Sequence, residues 1–551
     1  MGQWGAAKKM LRELAAGQEK EHDLIVGALV DGALQGLGER VVEGKKPVWV
    51  YLSSPMGERI YRRSVLFLVI AAMQELYGAG DAELIVRASL NGGLYCDLEV
   101  PGGLTDGAVS AIEVQMRAII AENREIGHRV VSKAEAVRLF KEARRIPRAN
   151  LLNTLPEEEV TLCTCGSHYD DLYGVMLDRT GNLGCFDLMR LDNGVLLRTP
   201  RSGKGLELPR PVAQPKFAQT LKESKQWAKI LHCEYLPDLN RCIQNGKTGD
   251  LIRVSEALHE KKIAEIADRI AAGVKKARLI MIAGPSSSGK TSFAQRLKVQ
   301  LRVNGLTPVS ISLDDYFVNR EETPLTPEGA YDFESLRALN VELFNKDLVA
   351  LMQGKEVALP RYDFVTGQRS DGAGPRLSIA PEQPIIVEGI HGLNEELTHA
   401  VPRGGKFKIY VSALTQLNID MHNRIPTTDA RFVRRLVRDY QFRASSALKT
   451  LRQWPDVRKG EDQNIFPYQE DSDAVFNSAL IYELAVLRKY ALPLLLAVKP
   501  GEDGYAQAQG ILGFLSQFGS VDDESDIPNN SILREFIGKS CFFMSNGDLK
   551  E

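Results

Sequence analysis

The run Gly284-Pro285-Ser286-Ser287-Ser288-Gly289-Lys290-Thr291 constrains the fold more than any other stretch of the chain. It satisfies the phosphate-loop pattern G-x-x-x-x-G-K-S/T in full. An apolar strand pattern, Ala277-Arg278-Leu279-Ile280-Met281-Ile282-Ala283, precedes it, and Ser292-Phe293-Ala294-Gln295-Arg296-Leu297 opens an amphipathic helix after it. In such a unit the glycines let backbone N–H groups turn inward around phosphate oxygens, and the helix adds its positive end. A Gly/Ser-rich turn can be mere connection, but the Lys-Thr pair and the preceding strand favour nucleotide binding. Gly284, Ser286, Ser287, Ser288, Gly289, Lys290, Thr291 and Ser292 are therefore the candidate ATP-binding residues. Lys290 would reach the β/γ-phosphates and Thr291 would hold Mg²⁺.

At 551 residues the chain exceeds a single hydrophobic core, so several domains are expected. A net charge of −2 provides no global attraction to nucleic acid or anionic membrane; such contacts would need local patches. The longest apolar runs, Val65 to Met73 and Tyr490 to Val498, are too short to span a bilayer. No secretory leader pattern opens the sequence, and Met1-Gly2 is followed by Ala6 where a myristoylation site wants Ser or Thr. Seven scattered cysteines suggest reduced thiols and a cytoplasmic protein.

The front half reads as α+β. A helical pattern around Met10, Leu11 and Leu14 leads to a strand, Leu24 to Val30, that enters an Asp31-Gly32 turn, and Val48 to Leu52 is a second strand. Cys163-Thr164-Cys165-Gly166-Ser167-His168 offers three metal-ligand types, but its spacing is not a zinc signature and buried strand cysteines account for it better. Arg138, Lys141, Arg144, Arg145 and Arg148 cluster at helical spacing, as a solvated face or as a surface for RNA phosphates. Arg201 to Pro215 is a linker candidate, and Lys216 to Ala272 reads as helices.

Several front-half stretches resemble threonyl-tRNA synthetase. The segment up to Ile60 is similar to the later part of a TGS domain, without that domain's amino-terminal hairpin. Ile60-Tyr61-Arg62-Arg63-Ser64, Asn91-Gly92-Gly93-Leu94-Tyr95-Cys96-Asp97, the helix from Asp106 to Asn123, Val131 to Ala136 and Asp171-Leu172-Tyr173-Gly174 look like the synthetase's second amino-terminal domain. In that domain a His-x-x-x-His pair and a later Cys and His hydrolyse mischarged tRNA. Here the pair falls on Arg63 and Phe67, and the later residues fall near Tyr173 and Met176. An imidazole pair that orients water is missing, so the domain reads as non-hydrolytic.

Behind the phosphate loop, Val309-Ser310-Ile311-Ser312-Leu313 runs into Asp314-Asp315, and Pro384-Ile385-Ile386-Val387 runs into Glu388. Acids at the carboxyl ends of parallel strands face the ligand crevice. Asp314 or Asp315 could accept a proton from a substrate hydroxyl or help position Mg²⁺, and Glu388 suits Mg²⁺ directly or through water. His391 reads as solvent-facing or structural. Arg431, Arg434, Arg435, Arg438 and Arg443 crowd one helix and its end, an arrangement that suits a lid over polyphosphate.

In this order these residues resemble the uridine kinase/phosphoribulokinase family over about residues 276 to 500. The resemblance implies Asp314 as general base, Asp332 (in Tyr331-Asp332-Phe333) as a nucleoside contact, and Tyr362 (in Pro360 to Val365) as lining for a base pocket. It implies a metal role for Glu388 in Glu388-Gly389-Ile390. From Arg434-Arg435-Leu436-Val437-Arg438-Asp439 it implies Arg435 at the substrate, with Arg438 and Arg443 stabilising transferred charge. Two positions depart from the family: Gly367 stands where uridine-cytidine kinases place a His that reads the pyrimidine edge, and Ser445 replaces a second lid arginine. Without the buried polar group at 367 a main source of acceptor discrimination is lost.

The expectation is thus an α/β P-loop kinase domain, a parallel sheet flanked by helices, preceded by α+β threonyl-tRNA synthetase-like domains. Its segments are 1–60 (TGS-like), 61–210 (synthetase-like), 211–275 (linker and coupling helices), 276–500 (kinase) and 501–551 (helix and tail, with no chemistry assigned). The expected reaction is ATP- and Mg²⁺-dependent phosphorylation of a nucleoside 5′-hydroxyl, uridine or cytidine first. Alternatives are another nucleoside or a sugar phosphate as acceptor, or a nucleotide-regulated tRNA/RNA-binding protein. Expected partners are the small-molecule nucleoside and RNA through the amino-terminal half, with no membrane and room for a homo-oligomer.

Overall fold

The computed structural model describes residues 8–18, 23–42, 44–90, 92–326, 329–363 and 365–543. Met1-Gly2, Ala6, Asn91 and Phe364, which enter the patterns above, lie outside them.

The second half is built on five parallel strands in the spatial order Val309–Ser312, Ile385–Glu388, Leu279–Ala283, Lys406–Ser412 and Ala474–Asn477. Leu279–Ala283, an unbroken apolar run, is fully buried at the centre, as a parallel strand covered on both faces requires. The connection leaving this strand runs to one side of the sheet, and the one leaving Ile385–Glu388 runs to the other. A crevice therefore opens between their carboxyl ends, where α/β sheets bind ligands. The phosphate loop and Glu388 lie on its two sides.

The core of this sheet extends beyond the expected kinase segment. Helices Leu236–Gln244 and Thr248–Gly273, and residues from Tyr505–Leu515 and Arg534–Ile537, share one hydrophobic cluster with the central strands. Ile532, Leu533 and Phe536 near the carboxyl end are completely buried.

In the front half, Ile25–Val30 pairs antiparallel with Ala33–Gln35 and with Val48–Tyr51. Asp31 (φ 52°) and Gly32 (φ 79°) supply the left-handed backbone of the tight turn. The helix Pro55–Tyr77 starts at Ser54, whose hydroxyl accepts the Gly57 N–H, and buries Val65 to Met73 without interruption. An antiparallel sheet in the order Asp187–Leu191, Gly194–Arg198, Gly93–Glu99, Glu83–Leu90 and a three-stranded sheet of His168–Asp170, Glu159–Cys165 and Ile126–Ser132 complete this half.

The basic cluster at 138–148 does not form one RNA-facing surface. Arg145 bonds Asp170 at 2.5 Å, Arg148 bonds Asp171, and all four are buried; Arg138 pairs with Glu142 on its own helix. The carboxylates came from a strand too far along the chain for local pattern to pair them. Cys163 and Cys165 are buried, and His168 bonds Gln74 at 3.1 Å and Glu75 at 2.9 Å. Arg63 donates to the Val175 carbonyl at 2.6 Å, so its guanidinium fills the space beside Gly174 and Val175. Among the described residues no helix is long and apolar enough to cross a membrane.

Candidate active site

The phosphate loop owes its shape to two left-handed residues, Ser287 (φ 58°) and Gly289 (φ 81°). Gly289 is the residue before the helix Lys290–Val303, so the first helical amides point into the crevice. Gly284 must lack a side chain because a Cβ would collide with the Val411 carbonyl on the next strand. The Lys290 amine lies across the loop, 3.4 Å from the Pro285 carbonyl. Thr291 donates its hydroxyl to Glu388 Oε1 at 3.3 Å, which joins the two expected metal residues across the crevice. Burial, followed by the nearby Asp314 charge, lifts the Glu388 carboxyl to about 7.

The two acids after Val309–Ser312 sit on a short 3₁₀ turn, Leu313–Tyr316, rather than on the strand itself. This turn separates their environments. Asp314 opens to solvent on the floor of a crowded cleft, where close packing raises its pKa and Lys290, Arg443 and Arg438 draw it back. Asp315 instead accepts the Tyr362 N–H at 3.4 Å. Of the pair, Asp314 faces the cations.

The five arginines of helix Thr427–Phe442 and its end divide into two sets. Arg431 and Arg434 are fully buried against Glu461 and Glu483, the latter at 2.5 Å. They donate to the Ser286 and Ser287 carbonyls at 3.0 and 3.4 Å, and Glu461 accepts the Ser286 N–H at 2.9 Å. These two therefore brace the loop from behind and do not form part of a lid over polyphosphate. Helical spacing places all these residues on adjoining faces, but only tertiary contacts show which cations are neutralised. The other set reaches the crevice: Arg435 donates to the Ser286 hydroxyl at 2.8 Å, and Arg438 and Arg443 act on Asp314.

An aromatic wall stands beside Asp314. The Tyr362 ring lies 5.5 Å from Phe317, Phe317 meets Phe333 edge-on at 6.4 Å, and Tyr331 packs against Phe333 at 5.9 Å. Tyr331 and Phe333 remain largely exposed, with Asp332 between them. At Gly367 the backbone has φ 75°, and a Cβ would lie 2.6 Å from Arg320 Nε. The position of the base-reading histidine is closed by backbone conformation and by an arginine.

Residues 279–483 match the model of the Phosphoribulokinase / Uridine kinase family. The chain carries a kinase domain of that family. A uridine kinase of Schizosaccharomyces pombe is 26% identical to the chain over 265 residues, covering 48% of the chain and 49% of that protein. A threonine–tRNA ligase of Aquifex aeolicus is 32% identical over 165 residues, covering 30% of the chain and 26% of the ligase. The chain thus spans about half or less of the length of these relatives. Among solved structures, a possible uridine kinase from Bacillus stearothermophilus is similar at 20% identity and a TM-score of 0.25, covering 39% of the chain and all of that structure. Residues 279–483, on their five-stranded parallel sheet, thus carry the α/β P-loop domain that the family model describes, and the front half is similar to the α+β part of threonine–tRNA ligase.

His391 takes the structural one of its two expected readings, and two further residues, Glu334 and Glu535, escaped the sequence reading. His391 is buried against the Glu334–Ser335 backbone and its pKa falls to about 4, so it is structural and not solvent-facing. Burial first and the Glu461 charge second raise the Glu334 carboxyl to about 7. Glu535, from the segment assigned no chemistry, accepts hydrogen bonds from the Ser292 N–H at 3.4 Å and the Ser292 hydroxyl at 2.7 Å. No local pattern marks Glu535, because its partner lies 243 residues away.

Proposed function

We propose that the kinase domain transfers the γ-phosphoryl group of ATP to the 5′-hydroxyl of a nucleoside, with uridine or cytidine as the first candidate acceptors. The observation that carries this reading is the Asp314 carboxyl under the pull of Lys290, Arg443 and Arg438, on the 3₁₀ turn that Phe317 follows and beside which Phe317, Tyr362 and Phe333 cluster. An aromatic wall suits a planar base by stacking. Asp314 takes the proton of the hydroxyl as it attacks, Lys290 and the loop amides hold the donor phosphates, and Arg438 with Arg443 neutralise charge on the moving group. Arg435, Asp332 and Tyr362 line the acceptor side. Thr291 and Glu388 offer oxygen ligands only, and Mg²⁺ commonly takes one or two protein oxygens and completes its shell with phosphate and water. Bound there, the metal would supply charge neutralisation at the β- and γ-phosphates.

A second acceptor class is favoured by the arginine at Gly367. Arg320 closes the position of a base-reading side chain, where a Cβ would lie 2.6 Å from its Nε, and without that pyrimidine contact an acceptor such as a sugar phosphate stays in the reading. Turnover assays with labelled ATP against a panel of nucleosides and sugar phosphates distinguish the two. Phosphorylation of uridine or cytidine supports the first; transfer only to a phosphorylated sugar supports the second. Tight tRNA binding without any small-molecule acceptor would instead favour an RNA-linked role for the synthetase-like half.

A further inference from the structure

Ser292 is the third residue of the phosphate-loop helix, and its backbone N–H is one of the amides a helix start leaves without an internal partner. In a phosphate loop the Lys serves the β/γ-phosphates and the loop amides cradle α and β. Ser292, the next residue after Thr291 and further from Lys290's β/γ end of the loop, offers both an N–H and an O–H. In this chain both are engaged by one oxygen of Glu535. Its other oxygen lies 3.9 Å from Arg438 Nη1.

The carboxylate is held there by the structure around it. Ile532 is packed so closely on the loop that a Cβ on Gly289 would lie 2.5 Å from its Cγ2. The Arg434 guanidinium stacks over the Phe536 ring at 5.1 Å. Ser531 donates to Glu256 at 2.5 Å, and Arg534 bonds Glu524 at 2.8 Å, which ties down the start of the short helix Arg534–Ile537. A carboxylate and a phosphate oxygen are both anions that accept hydrogen bonds, so they cannot share the Ser292 donors, and like charges there repel.

We infer that Glu535 is a donor-discriminating residue: its carboxylate holds the seat of the α-phosphate, so a nucleoside triphosphate must displace the 531–537 segment while a bare pyrophosphate need not. The inference rests on the ATP-donor reading and adds a residue to it. The observed affinity for ATP is reduced by the fraction of molecules in which the seat is free. Pyrophosphate fills only the seats served by Lys290 and the preceding amides and escapes this cost.

The test is calorimetric titration of the full chain with MgATP and with magnesium pyrophosphate, in the parent and in Glu535→Gln. Removing the charge is expected to tighten ATP by about tenfold or more and to leave pyrophosphate within about twofold. Ile532→Ala, which loosens the segment without touching the carboxylate, is expected to shift ATP in the same direction, and it serves as the test should Glu535→Gln fail to fold. ATP affinity unchanged or weakened in both variants overturns the inference. If parent and variants all bind pyrophosphate and none binds ATP, the ATP-donor reading itself fails, and with it the inference.

Discussion

Arg59 and Asp429 join the two halves of the molecule through a two-point ion pair, with Nη1–Oδ2 at 3.0 Å and Nη2–Oδ1 at 2.6 Å. Arg59 lies in the first turns of the helix Pro55–Tyr77, and Asp429 in the first turn of the helix that carries Arg435 and Arg438. A second contact lies nearby: the His422 ring bonds Asp170 at 2.6 Å, and Asn423 donates to the Asp171 carbonyl at 2.7 Å. The synthetase-like half is thereby fastened to the base of the arginine helix.

Cutting this fastening should be felt in the kinase crevice. Arg59→Ala is expected to lower kcat about fivefold, equivalent to ~1 kcal/mol of coupling, with little change in global stability because Arg59 is partly exposed. Arg59→Lys, which keeps the charge and loses the two-point geometry, should fall between. Steady-state kinetics beside a thermal melt reads both quantities; an unchanged kcat in Arg59→Ala would show that the ion pair only joins the halves.

Lys290→Ala and Asp314→Asn should each abolish phosphoryl transfer, with folding intact by circular dichroism. The two differ in binding: loss of Lys290 weakens the donor, whereas Asp314→Asn leaves donor affinity nearly unchanged. Turnover retained by Asp314→Asn would remove that residue from the base role.

The Arg431–Glu461 pair is fully buried. Arg431→Met leaves Glu461 with Arg458 at 2.7 Å as its one cationic partner, beside the Ser286 N–H, and is expected to cost roughly 3 kcal/mol in urea unfolding. The double variant Arg431→Met with Glu461→Gln should lose less, because no buried charge is stranded. A double variant no more stable than Arg431→Met alone would count against this account.

Glu334 gives a pH signature. Its carboxyl is raised from an ordinary 4.5 to about 7 by burial first and Glu461 second, against the pull of Arg435 and Lys290. The folded state therefore holds a proton that the unfolded chain releases earlier. The resulting stabilisation is complete below pH 4.5 and is lost as pH rises through about 7. Unfolding free energies for Glu334→Gln minus the parent should rise across that window and then level. A flat difference would place the Glu334 pKa near its ordinary value.

Much of the second half was legible because its signals are local. The phosphate loop, the apolar strand before it and the acids that end later strands are short patterns, and the parallel sheet follows from them. The front half was legible mainly through resemblance, and its strand after Leu24 through the Asp31-Gly32 turn. Periodicity could put four arginines on neighbouring faces of one helix, but it carried no information on Glu461 or Glu483, which lie 30 and 49 residues further on. The same limit applied to Arg145 and Arg148, which looked like surface charge until Asp170 and Asp171 buried them.

The sequence by itself determined the phosphate-loop unit and the positions of the candidate site residues along the chain, because backbone turns, strand ends and helix starts depend on neighbours in the chain. Only the tertiary structure decided which of Asp314 and Asp315 meets the cations, which arginines brace the loop, and that Glu535 stands on Ser292. Those outcomes depend on charge partners brought together across hundreds of residues, where burial and electrostatics, not local propensity, select the contact.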